Sequence, residues 1–76
     1  MKHQFYSIVR KGEKLGKAEL LKSCSTSTGY LVTLFKLEDK VLPYIVAVKR
    51  GDDTIEFKRL FKGAFQYYLD MICCYA

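Results

Sequence analysis

The last third of the chain most limits what the whole can fold into. Phe57, Phe61, Ala64, Tyr68, Met71 and Tyr75 recur at alternating intervals of four and three residues, the spacing of one face of an α-helix. Leu60, Phe65 and Ile72 broaden this seam, while Lys58, Arg59, Lys62, Gln66 and Asp70 occupy the opposite side. The pattern predicts one long amphipathic helix over about residues 54–75, roughly five to six turns at about 3.6 residues per turn. Asp53 stands where an N-cap would, with Glu56 three residues later as in a capping box, so the helix is expected to begin at Thr54. The alternation of residues 54–57 also fits a short fifth strand, which would delay the helix to Lys58. Gly63 is expected to weaken the helix without ending it.

A helix with one broad apolar face needs a surface to cover, and the preceding residues read as strands. Over residues 3–10, Phe5, Ser7 and Val9 alternate with Tyr6, Ile8 and Arg10. Lys11, Gly12, Glu13 and Lys14 have the composition of a hairpin turn, which places a second strand from about Leu15. Residues 15–24 fit two patterns: Leu15, Ala18 and Leu21 share a helical face, whereas Ala18, Leu20 and Cys24 alternate with Lys17, Glu19 and Ser23. Strand is preferred, because Gly16 costs a helix interior about 1 kcal/mol relative to alanine and no good N-cap precedes the run. Residues 25–29 form a small polar loop, and residues 30–37 are nearly all apolar or β-branched. Glu38, Asp39 and Lys40 turn the chain back into a strand over residues 41–49, where Pro43 belongs at the beginning or on an edge.

The expected fold class is α+β: an antiparallel four-stranded meander sheet over about residues 3–50, with the helix of residues 54–75 packed on one face. A three-stranded sheet with a short helix at residues 15–22 is the alternative. No linker, internal repeat or low-complexity segment interrupts the sequence, so residues 1–76 are expected to form one small domain.

Size and composition narrow the functional classes. A chain of 76 residues buries only about two thirds of its unfolded surface, which leaves little for a substrate pocket. Half the residues are hydrophobic, and six tyrosines and five phenylalanines are too many for a disordered chain. The net charge of +5 favours nucleic acid, anionic lipid or acidic protein surfaces without choosing among them. Cys24, Cys73 and Cys74 are odd in number and two are adjacent, a poor disulfide framework, so a reducing cytoplasm is expected. Neither a leader pattern nor a run of about 18 apolar residues occurs, so neither export nor membrane insertion is expected.

The residues that carry chemistry are sparse. His3 is the only histidine and sits beside the chain start, and no glycine spacing matches a dinucleotide or phosphate loop. Cys73 and Cys74 would point about 100° apart on a helix and could not share an ion. The last four residues outline a prenylation box, but Tyr75 in its third place and the lack of a preceding basic stretch favour a plain helix end. No catalytic residue, metal, cofactor or small-molecule substrate is therefore expected.

Two binding classes remain. Arg10, Lys11, Lys14 and Lys17 group around the first hairpin, and Lys49, Arg50, Lys58, Arg59 and Lys62 where sheet meets helix, as phosphate contacts would need. Tyr6, Tyr30, Tyr44 and Tyr67 are candidates for base stacking on any open face. Against this, Phe65, Tyr67, Leu69 and Tyr75 cannot all lie beneath one sheet, so some aromatic surface is left for a partner. Phe65, Tyr68, Leu69 and Ile72 are the expected contacts of that patch, with a homodimer the expected state. The reading preferred is a non-enzymatic protein-binding adaptor or inhibitor using an aromatic patch with a basic rim. A nucleic-acid-binding protein using Arg10, Lys11, Lys14, Lys49, Arg50, Lys58, Arg59 and Lys62 is the alternative. In size, lack of catalytic residues and sheet-plus-helix outline, the chain resembles the small accessory proteins of phages and mobile elements, among them inhibitors of host defence.

Overall fold

The computed structural model describes residues 4–38 and 41–76. Five antiparallel strands precede one helix: β1 (Phe5–Arg10), β2 (Glu13–Ser25), β3 (Leu31–Leu37), β4 (Tyr44–Arg50), β5 (Asp53–Leu60) and α1 (Ala64–Cys74). The strands lie side by side in sequence order, so the sheet is a meander as expected, with five strands rather than four. Residues 15–24 are strand, within a β2 that begins at Glu13, two residues earlier than the pattern suggested. β4 starts directly after Pro43, where a missing N–H is tolerated. His3, Asp39 and Lys40, named above in the first strand and the third turn, lie outside the described residues.

The largest correction concerns residues 53–63. Asp53 is not an N-cap: it faces Arg50 across the two-residue turn Gly51-Asp52, and Glu56 faces Val48 within β5. The helix is accordingly 11 residues long, about three turns, and Gly63 is its N-cap rather than an interior residue. Tertiary pairing outweighs the local capping preference here. Without β5 the apolar strand β4, whose Ile45 to Val48 are all buried, would present a bare edge. Gly63 then adopts a left-handed conformation at φ 73°, which turns the chain from strand to helix at little cost only for a residue without Cβ.

Strand alternation divides the apolar residues between two faces. Val32, Leu34, Val46 and Val48 meet Ala64 and Tyr68 of α1, with Met71 and Tyr75 packed beside them, so the helical part of the expected seam does face the sheet. On the other face Ala18, Leu37, Ile45 and Ala47 form a second core with Ile8, Leu15, Phe35 and Phe57. No helix covers that side among the described residues; the sheet curls over it instead. The curl has a local cause in three register shifts, which insert Leu15 opposite β1, Leu21 opposite β3 and Ile55 opposite β4. Each added residue bends its strand and increases the right-handed twist. The half-barrel that results brings Arg10 of β1 over Phe57 of β5, guanidinium carbon 5.0 Å from the ring centroid.

Candidate functional site

A groove of about 510 Å³ opens where the chain leaves β5 and enters α1. Leu34 and Tyr44 form its floor, and Leu21, Phe61 and Phe65 stand around it with 40%, 66% and 51% of their surfaces exposed. Each of these three is turned outward for a reason in the backbone. Leu21 is the additional residue of the β2 bulge, while Phe61 and Phe65 flank the reversal at Gly63. Lys22 holds its ammonium 5.6 Å from the Phe65 ring centroid, and Lys62 also lines the groove. None of the described lining residues is acidic. α1 begins here without a side-chain cap and with no acidic residue in its first turn, so the partial positive charge of its N-terminus adds to that of the lysines.

Of the patch predicted from the sequence, the structure keeps two members at the surface. Tyr68 is 4% exposed and belongs to the core between helix and sheet, so it cannot serve as an outward contact. Ile72 is half-buried against the same core, whereas Phe65 and Leu69 face outward. Phe65 stacks on Tyr68 at a centroid distance of 6.2 Å, which fixes the exposed ring on a buried one. Leu21 and Phe61 complete the surface and were missed. The signal for Leu21 was present as two successive leucines in an alternating strand, which marks a bulge.

The predicted basic residues do not form one cluster. Lys49 and Arg50 end β4, whereas Arg59 pairs with Ile45 at its other end, about 13 Å away at roughly 3.3 Å per residue. Arg50 lies over the Tyr30 ring at 5.1 Å, and Arg59 donates twice to the Leu42 carbonyl at 3.1 and 2.8 Å. Lys58 pairs with Val46 between them, and Lys62 belongs to the groove. The Arg10–Phe57 contact carries the tip of the first hairpin, with Lys11, toward the strand that holds Lys58 and Arg59, and Lys14 follows in β2. Among the candidate stacking rings, Tyr6 sets its edge against Phe35 at 5.8 Å and Tyr30 lies 4.8 Å from Tyr75. Tyr44 and Tyr67 are half-buried beside the helix-side core.

The far end of α1 is tied to the sheet. The Tyr75 hydroxyl donates to the Glu56 carboxylate at 3.0 Å, and the Thr28 hydroxyl donates to the Tyr75 carbonyl. The hydrogen bond to Glu56 is the main reason the Tyr75 phenol is held above its ordinary pKa, with burial adding to it. Burial raises the Tyr68 phenol, and Cys24 nearby acts in the same direction. Cys24, Cys73 and Cys74 are free thiols, and no set of three or more His, Cys, Asp or Glu among the described residues is placed to hold a metal ion. No helix among those residues is long and apolar enough to cross a membrane. Comparison with known proteins finds no matching family, no matching curated protein and no matching solved structure.

Proposed function

We propose that this protein is a non-catalytic protein-binding module, an adaptor or inhibitor of a cytoplasmic partner, that docks through the groove between Leu21, Phe61 and Phe65. The observation that carries this reading is the convergence of three large exposed apolar side chains on one concave surface with lysines at its rim. Contiguous apolar surface of this kind marks an interaction site, and aromatic side chains in a pocket are the usual anchors. Lys22 and Lys62 select a partner whose apolar contact residue is flanked by carboxylates. A second copy of the chain is a poorer occupant, because a two-fold axis through the groove would bring the same lysines together. The three free thiols support a reducing compartment.

Nucleic-acid binding is the second reading, favoured by the approach of Arg10 and Lys11 to the strand carrying Lys58 and Arg59. It is weaker because Lys49 and Arg50 stand at the other end of β4 from Arg59, so the predicted basic residues do not form one cluster.

The test is capture on the full chain across a salt series. A stoichiometric protein retained at about 0.5 M salt, where screening reaches only some 4 to 5 Å, and lost from the double variant Phe61→Ser, Phe65→Ser, supports docking through the groove. Nucleic acid recovered at low salt and released by charge reversal at Lys58 and Arg59 replaces it with the second reading. Light scattering at twice the chain mass, abolished by the same double variant, assigns the groove to self-association instead.

A further inference from the structure

The face opposite the helix carries a second groove, of about 590 Å³, a volume within the range of about 300–1,000 Å³ in which proteins hold ligands. Phe35, Ala47 and Phe57 form its apolar base, with Thr33 among them. One wall is unusual. Tyr6 and Ile8 turn their side chains inward, yet Ser7 and Val9, which alternate to the other face of the strand, line the groove as well. The wall there is the edge of β1 itself.

The register states which backbone groups that edge presents. The Leu20 N–H donates to the Gln4 carbonyl at 2.8 Å, which makes Gln4 and Leu20 a hydrogen-bonded pair. Tyr6–Ala18 and Ile8–Gly16 follow at the same phase of the antiparallel ladder. Ser7, between them, therefore directs its N–H and C=O away from β2 and into the groove. Among the described residues β1 is an edge strand, joined in the sheet to β2. The groove thus combines an aromatic floor, hydroxyl-bearing side chains at Ser23, Thr33 and Thr54, and the amide edge of a strand.

We propose that an extended acidic segment of a partner protein adds to the edge of β1 at Ser7 as a sixth strand, with alternate side chains over the open groove. Strand addition supplies what this groove presents: main-chain groups to meet the outward amide of Ser7, and alternate side chains to rest on Phe35 and Phe57. A small apolar molecule would leave the strand edge unmatched. Charge decides the partner's character, since the described lining of the groove includes Lys49 and no acidic residue, and Arg10 and Arg59 stand on the two strands that border the gap. A second copy is a poorer occupant, because its own β1, residues 4–10, carries no carboxylate to meet these charges. This surface is separate from the Leu21–Phe61–Phe65 groove and does not depend on it.

The experiment titrates isotope-labelled full chain with a short blocked peptide of alternating glutamate and valine, followed by amide resonances. Shifts are expected along β1 and at Phe35, Ala47 and Phe57, and they should persist in the Phe61→Ser, Phe65→Ser variant, which separates this site from the other. N-methylation of the peptide along one edge should weaken binding about tenfold or more, and along the other edge much less, because only one edge meets β1. Ser7→Pro should weaken it similarly while leaving the resonances of β3 and β4 in place, since proline is tolerated where an edge N–H points outward. No binding up to the solubility of the peptide overturns the proposal. So do equal affinities for peptides methylated on either edge, equal affinity for a lysine-valine peptide, or shifts confined to Phe61 and Phe65.

Discussion

Tyr68→Ala and Phe65→Ala together test how α1 is seated on the sheet. The two side chains lie about 60° apart around the helix, so a modest error in its rotation would exchange their roles. Tyr68 is 4% exposed and packs against Val32, Leu34, Val46 and Val48. Truncating so buried an aromatic side chain costs about 3–5 kcal/mol, from lost burial and the cavity left behind. A domain of 76 residues has about 4–11 kcal/mol of stability in total, at roughly 0.05–0.15 kcal/mol per residue, so this one change removes about a quarter or more of it. Phe65, 51% exposed, loses about half of the 1.5–3 kcal/mol that full burial would supply, and alanine's helix propensity returns a few tenths. Its expected cost is about 1 kcal/mol or less. With a urea slope of about 1 kcal/mol per M for so small a domain, the midpoint should fall by about 3 M or more for Tyr68→Ala and by about 1 M at most for Phe65→Ala. Circular dichroism measures both. Equal losses, or a larger loss for Phe65→Ala, would refute the seating of the helix and with it the exposure of Phe65 in the groove.

Three further outcomes follow from other contacts. Because the phenols of Tyr68 and Tyr75 are both raised above the ordinary 10.0, the unfolded chain loses these protons first and the native state binds more of them as pH climbs. Stability from this source is complete below pH 10.0 and declines above it, which urea midpoints across the alkaline range should show, with a smaller decline in Tyr75→Phe. Gly63→Ala should cost about 1 kcal/mol through its backbone alone, since φ is 73° and an added Cβ would meet nothing within 4 Å; Gly63→Asn should recover part of this loss in the same measurement. Arg10→Ala should release the first hairpin from β5, seen as faster amide exchange in β1 with β3 and β4 unchanged, at a stability cost of about 0.5–1 kcal/mol for a half-buried cation–π contact.

Strands β1 to β4 were legible because each is written as a run of branched and aromatic residues closed by a polar turn. The cost of Gly16 to a helix decided β2 as strand, although the bulge at Leu21 turns Cys24 to the opposite face from Ala18. β5 was hidden by a coincidence of spacing: Phe57 and Phe61 prolong the four-and-three rhythm of the true helix backwards through a strand and a loop. The competing signal was the dipeptide Gly51-Asp52 between two β-like runs, the composition of a two-residue hairpin. Gly63 was readable as a boundary only with the knowledge that β5 precedes it, since a helix interior tolerates a lone glycine. The outward patch was half legible, through Phe65 and Leu69, because residue spacing defines a helix face but not which part of it the sheet covers. The second groove had no linear signature, since it arises from curvature set by single inserted residues at Leu15, Leu21 and Ile55.

The sequence-ordered sheet has a consequence for how the molecule forms. Every strand pairs with its neighbour along the chain, so closing each ladder requires only a short loop and little loop-closure entropy. Contact order is low for a sheet-rich protein, and folding should be correspondingly quick. Seven of the buried apolar residues, Val32, Leu34, Leu37, Ile45, Val46, Ala47 and Val48, lie in β3 and β4 alone, and they serve both cores. That central hairpin is the natural nucleus: substitutions within it should slow folding, whereas changes in β1 or α1, which attach to a sheet already formed, should mainly speed unfolding.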